Sequence, residues 1–235
     1  PPRSTLFPYT TLFRSAKLGQ IYRMSRRYDK SVHAYSRALE LQPDYAWAYN
    51  GLGLSQKSLG HTEEAILSFK RATHYESGVV WHWYNLAETL VSVGRYADAE
   101  QPIRQATRID PNHAPSWSKL GQVLRYRQKL SDARDAYQRS LDLDPSNDWA
   151  INGLGIVWEQ MGRYEQALEC YQRASELNPR REWYWYNQAQ ALIYLKRYDE
   201  ALKPLEEALR LNPSHARAWS SRGTALRHQI GRAHV

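Results

Sequence analysis

Trp47 and Asn50 return 102 residues later as Trp149 and Asn152, and Trp81, Tyr84 and Asn85 return as Trp183, Tyr186 and Asn187. Each group is followed by cations, Lys119 and Arg125 after the first, Arg217 and Arg227 after the second. Indole and phenol rings supply apolar area with few rotors to freeze, an Asn amide offers one acceptor and two donors to a peptide backbone, and arginine pairs with carboxylate. That chemistry suits the capture of an extended polypeptide, either acidic or ending in its own carboxylate. Two candidate sites result. The first comprises Trp47, Asn50, Trp81, Tyr84, Asn85, Glu88, Lys119, Gln122 and Arg125; the second comprises Trp149, Asn152, Trp183, Tyr186, Asn187, Gln190, Arg217 and Arg227. Gln190 stands where the first has Glu88, and Ser221 where it has Lys119, so the two are not equivalent. Duplication of a block of sequence explains the same spacing without any site, and both explanations stand at this level.

Other chemistries find no residues to carry them. The histidines are scattered, and His82 and His228 have no second ligand at i+4, so no metal set is expected. Gly51-Leu52-Gly53 and Gly153-Leu154-Gly155 lack both a preceding strand and the third glycine of a phosphate loop. Cys170 is the single cysteine and forms no internal disulfide. No catalytic triad or carboxylate pair can be assigned, so the visible chain is expected to be neither an enzyme nor a cofactor carrier.

The elements that position these residues follow from a 34-residue grid. Pro43, Pro111, Pro145, Pro179 and Pro213 lie on it, with Ser77 in the one slot without proline. Three columns of small residues share the grid: Gly19, Gly53, Ala87, Gly121, Gly155, Ala189 and Gly223; Ser31, Ala65, Ala99, Ala133, Ala167 and Ala201; Ala38, Ala72, Ala106, Ser140, Ala174 and Ala208. A strict period of this length means stacked identical units. The units are residues 12–45, 46–79, 80–113, 114–147, 148–181 and 182–215, followed by a half unit, 216–229. Each reads as a helix A over positions 1–14 and a helix B from about position 18 to 31, with Gly60, Gly94 and Gly162 at the turn between them. Asp44, Asn112, Ser146 and Ser214 are expected to cap the following helix A. Positions 4, 7, 8 and 11 form the apolar stripe of helix A, which makes Trp83, Trp117, Trp185 and Trp219 core residues; Gln56, Gln188 and Arg222 intrude on apolar columns. Pro102 and Pro204 fall inside helix B, where a missing N–H and a ring clash are expected to bend it.

Small residues at positions 8, 20 and 27 with proline at 32 resemble the tetratricopeptide repeat, over residues 16–229. The resemblance implies an all-α fold, a right-handed solenoid of about six and a half helix-turn-helix repeats. Positions 2, 5, 9 and 12 of helix A then line a concave groove, and the expected function is a scaffold that binds a protein or an acidic peptide there. The family's clamp for acidic chaperone tails is not matched, because Ala16, Gln20, Gly51, Trp81 and Asn85 occupy its positions. Asn85 and Asn187 at position 6 resemble the asparagine ladder of protein glycosyltransferases, which gives an alternative reading as the substrate-recruiting arm of a larger enzyme. Lys17, Gly51, Lys119, Gly153 and Ser221 break that ladder. Aromatics interleaved with cations also fit single-stranded RNA, a reading ranked third.

Residues 1–15 and 230–235 stand apart from the pattern: TLFPYTTLFRS and IGRAHV resemble translated sequencing adapters and are expected to be non-native tails. The formal net charge is +8, and setting aside Arg3, Arg14 and Arg232 in those tails leaves +5 for the repeats. That bias suits an acidic protein partner better than nucleic acid. No run is long enough to span a membrane, and a cytoplasmic location is expected. The half unit would leave an apolar stripe uncovered, so end-to-end self-association is expected at that end.

Overall fold

The computed structural model describes the backbone of residues 6–233 and the side chains of residues 11–229. Residues 1–5 and 234–235 of the terminal segments lie outside the described residues. Thirteen helices and no strand are found among the described residues, in the order α1 (Leu6–Met24), α2 (Tyr28–Leu41), α3 (Ala46–Ser58), α4 (Thr62–Tyr75), α5 (Val80–Ser92), α6 (Tyr96–Ile109), α7 (Ala114–Tyr126), α8 (Leu130–Leu143), α9 (Asp148–Gln160), α10 (Tyr164–Leu177), α11 (Glu182–Tyr194), α12 (Tyr198–Leu211) and α13 (Ala216–Ala233). Odd-numbered helices are the A helices and even-numbered ones the B helices. α1 and α13 run into the two terminal segments set apart by their sequence. The chain divides into two compact units, one up to Pro111 and one from Asn112 onward, each an all-α stack of helical hairpins. No described helix is long and apolar enough to cross a membrane.

The period is enforced by both connections. Each of the first six A helices ends in a Schellman turn: the N–H of His61 bonds the carbonyl of Gln56 and that of Gly60 the carbonyl of Lys57, and the same pair of bonds closes α1, α5, α7, α9 and α11. The residue at position 15 is left-handed in all six turns, with Gly60, Gly94 and Gly162 at φ 72–83° and Arg26, Gln128 and Lys196 at φ 58–60°. Each B helix ends in an extended residue, as the residue before a proline must be. Glu76, before Ser77, takes the same conformation (φ −140°) as Asp144 before Pro145 (φ −139°). The proline therefore reinforces a stop that the packing already imposes.

Every residue of the columns at positions 20 and 27 is buried, and the core runs along them between the helices of each hairpin. Two local expectations need correction. The caps of α3, α7 and α9 are Tyr45, His113 and Asn147, one residue later than Asp44, Asn112 and Ser146, and the side chain that caps α9 is Asn147, whose Oδ1 accepts from the Ala150 N–H. Ser146 instead donates backwards to Asp144, and Ser214 to Asn212, closing the turn around the proline while His215 accepts the Ala218 N–H. The tryptophans at position 4 are only partly buried, and Trp219, on the last described helix, is half exposed. Helices α6 and α12 continue through Pro102 and Pro204, which are buried.

The intruding polar residues all find partners. Ser68 donates to Gln56, Ser175 to Gln188, and Arg222 reaches Glu206 while lying over the Trp219 ring.

Candidate peptide-binding face

In the second unit α7, α9, α11 and α13 lie side by side and present one face. This unit holds the whole of the second candidate site, together with Lys119, Gln122 and Arg125 of the first; the remaining residues of the first lie in the first unit. Trp149 and Trp183 are 38% and 37% exposed at the N-terminal ends of α9 and α11, and Trp81 is 52% exposed on α5. Trp47 is half-buried against Tyr35. Cations attend the exposed rings: the Lys119 Nζ is 5.5 Å from the Trp149 ring centroid, and the Arg181 guanidinium 4.9 Å from that of Trp183. Tyr186 lies against His215, and Arg217 and Arg227 extend to solvent from α13.

The asparagines do not stand free. The Asn85 Nδ2 donates to the Asn50 Oδ1 at 2.9 Å, and the Asn187 Nδ2 donates to the Asn152 Oδ1 at the same distance. Position 5 of one A helix meets position 6 of the next, so these amides first of all tie neighbouring helices together, and Asn152 is buried in doing so. Glu88 pairs with Lys57 at 2.6 Å, and Gln190 donates to Ser221. Burial, and then the neighbouring Glu88, push the Tyr84 hydroxyl up to about 12.

A set of contacts at position 24 of helix B was not anticipated from sequence. Tyr35 and Tyr137 are buried there, each wedged between two glycines. A Cβ on Gly121 would come within 2.8 Å of the Tyr137 ring, and one on Gly153 within 2.5 Å; Gly19 and Gly51 enclose Tyr35 in the same way. Where position 24 is Ile103 or Leu205, position 8 carries Ala87 or Ala189. The hydroxyls are served from position 12: Tyr35 interacts with Arg23, Tyr137 with Arg125, and Tyr171 donates to Glu159 at 2.9 Å. Pairing the columns at positions 8, 12 and 24 would have exposed this from sequence. Part of the 102-residue period is thus a packing rule, since Arg23, Tyr35, Trp47 and Gly51 form one cluster and Arg125, Tyr137, Trp149 and Gly153 its copy.

Arg125 is the distinctive charge of this face. Its guanidinium lies 4.2 Å from the Tyr126 ring centroid, and its Nε is buried without a hydrogen-bond partner. Burial works against the charge, but Tyr137 and Tyr126 outweigh it and hold the pKa above the ordinary arginine value. No carboxylate contributes to that balance. The side chains that could neutralise the face are otherwise engaged: Asp148 accepts from Asn178 and Tyr184, and Glu159 from Tyr171. Burial raises the Glu159 pKa, and the Tyr171 hydrogen bond offsets only part of that rise. Cys170 lies away from this face, its thiol pushed up to about 11 mainly by burial. No cluster of three His, Cys, Asp or Glu residues is found among the described residues.

A stack of helical hairpins with a 34-residue period and small residues at the crossings defines a class of repeat proteins. Tetratricopeptide repeat models match residues 19–60, 51–114, 112–180 and 147–214, and the chain belongs to the tetratricopeptide repeat family. Solved structures agree on the fold. PilF of Pseudomonas aeruginosa is 17% identical, superposes with a TM-score of 0.78, and the match covers 92% of this chain and 99% of that one. A tetratricopeptide repeat protein of Parabacteroides merdae is 15% identical with a TM-score of 0.77, covering 94% and 88%. YrrB, described as having an unusual peptide-binding site, is 21% identical with a TM-score of 0.68, covering 82% and 99%. No curated protein matches the chain.

Proposed function

We propose that this scaffold captures an extended acidic segment of a partner protein on the A-helix face of its second unit. The family fold is one of protein–protein interaction, and YrrB, which shares it, is described as having a peptide-binding site. The observation that carries the acidic preference is Arg125, a half-buried cation fixed by two tyrosines and left without a carboxylate. The partly exposed indoles of Trp149 and Trp183, at the N-terminal ends of the next two A helices, supply apolar contact area, with Arg217 and Arg227 further along on α13.

An array of aspartate- and glutamate-rich peptides, screened against the whole chain and followed by fluorescence anisotropy, tests the reading. A charge-assisted hydrogen bond contributes about 1.5–3 kcal/mol, so Arg125→Gln should weaken the best acidic binder roughly 10- to 100-fold. Changing Trp149 and Trp183 together to alanine should weaken it further. Unchanged affinity in both variants would remove the proposal. Oligonucleotide binding that collapses steeply with salt would replace it with nucleic-acid recognition.

A further inference from the structure

Position 4 of helix A holds tryptophan in four units, and three of these indoles have the same visible task. The Nε1–H of Trp83 donates to the Ser77 carbonyl at 2.8 Å, that of Trp185 to Pro179 at 3.0 Å, and that of Trp219 to Pro213 at 2.9 Å. Each ring thereby covers the end of the preceding helix B. In the fifth unit the residue is Ile151, and no ring reaches the Pro145 carbonyl. The Arg173 guanidinium donates to it instead. A cavity of about 300 Å³ opens at this place between α8, α9 and α10, with Leu141, Pro145, Ile151, Leu154, Cys170 and Arg173 around it. A cavity of about 420 Å³ in the first unit lies at the corresponding place between α4, α5 and α6, lined at the same repeat positions by Lys70, Thr73, Trp83, Leu86, Gln101 and Pro102. Trp83 forms part of its wall, and it extends towards Arg95 and Asp98 rather than to the carbonyl at the end of helix B.

We propose that the cavity beside Ile151 binds the indole side chain of a tryptophan carried by a partner polypeptide. Its occupant would sit where Trp83, Trp185 and Trp219 sit in their own units, with the N–H on the Pro145 carbonyl and the ring over Leu141, Ile151 and Leu154, which are almost fully buried until Arg173 swings out. The polar groups complement this exchange. Arg173, displaced from the carbonyl, lies four residues after Glu169, the favourable orientation for a pair on one helix turn. Glu169 lines the same cavity, is exposed to solvent, and makes no ion pair among the described contacts. A buried tryptophan contributes roughly 150–250 Å² of contact and a directional N–H, more than an aliphatic side chain can offer here. The site lies on the B-helix side and does not depend on the peptide-binding face proposed above.

Cys170, the only thiol in the chain, reports occupancy. The whole chain is titrated with N-acetyltryptophanamide, with N-acetylleucinamide as control, while alkylation of Cys170 by N-ethylmaleimide is timed. Binding in the range of ~1 mM is expected for a single residue, with alkylation slowed several-fold at saturation by the tryptophan amide and not by the leucine amide. Ile151→Trp fills the cavity from within and should protect Cys170 without ligand and abolish probe binding. Arg173→Ala frees the Pro145 carbonyl and should tighten probe binding several-fold, which keeps the test open if Ile151→Trp does not fold. Equal effects of the two amides, or a folded Ile151→Trp chain that binds the probe as before, would overturn the proposal.

Discussion

Replacing Gly153 by alanine tests the wedge on which the second unit is built. A Cβ there would stand 2.5 Å from the Tyr137 Cζ and 2.7 Å from its hydroxyl oxygen. The ring cannot withdraw, because Gly121 backs it from the other side, where a Cβ would come within 2.8 Å. Alanine is the better helix former by about 0.8–1 kcal/mol, whereas forcing a methyl group into a packed core costs about 1–3 kcal/mol and can exceed that range. With contacts this short the upper part of the range applies, and a net loss of about 1–2 kcal/mol is expected. For a chain of this size that lowers the Tm by about 2–8 °C. Gly223 is the internal control: in α13 it holds the position that Gly121 holds in α7, but nothing lies within 4 Å of a Cβ there, so Gly223→Ala should stabilise by about the helix-propensity difference. Adding Tyr137→Leu to Gly153→Ala should recover part of the loss, since aliphatic residues occupy position 24 in the third and sixth units. Thermal melts followed by circular dichroism, with hydrogen exchange to localise the change, read the outcome. A Gly153→Ala chain as stable as the parent would refute the wedge.

Three further outcomes follow from the turns and the buried acid. Gln128→Gly and Lys196→Gly relieve left-handed backbone at φ 60° in the turns after α7 and α11, and each should raise stability by about 1 kcal/mol in urea melts. Gly162→Ala, at φ 72°, should lower it by a similar amount. Glu159 has its folded pKa raised above the ordinary 4.5 by burial, so its protonated form is the one the fold favours. Its contribution to stability is complete below that ordinary value and is lost as pH rises through the folded pKa. Glu159→Gln should therefore be more stable than the parent at pH 7 and equal to it below about pH 4, and a constant difference across that range would contradict the burial argument.

The arrangement of the hairpins was legible because it rests on single columns. Small residues at positions 8, 20 and 27, the proline at 32 and the apolar stripe each appear in one pass along the grid, and α2 to α12 fall within about a residue of where that grid sets them, while α1 and α13 run beyond it into the terminal segments. What escaped depends on pairs of columns. Asn50 and Asn85 each look like free amides until position 5 is set against position 6 of the next unit, where they meet at 2.9 Å. Tyr137 reads as a core aromatic until it is matched with Arg125 on its own hairpin and Gly153 on the next. The caps slipped by one residue because Asp144 and Asn212 draw Ser146 and Ser214 into turns around the proline, which passes the capping role to Asn147 and His215. The affinity of the tryptophan and arginine face for a ligand depends on what the partner brings, and the chain encodes only its own half of that contact.

A tyrosine shared by two glycines belongs to two repeats at once. Tyr35 is encoded in the first hairpin but needs the slot of Gly51 in the second, and Tyr137 in the fourth needs Gly153 in the fifth. The hairpins are therefore not interchangeable beads: an exchange of order that set either ring against Asn85, Lys119 or Asn187 would present a side chain where the junction demands none. Any lengthening of such an array has to copy adjoining hairpins together, ring and receiving slot in one piece.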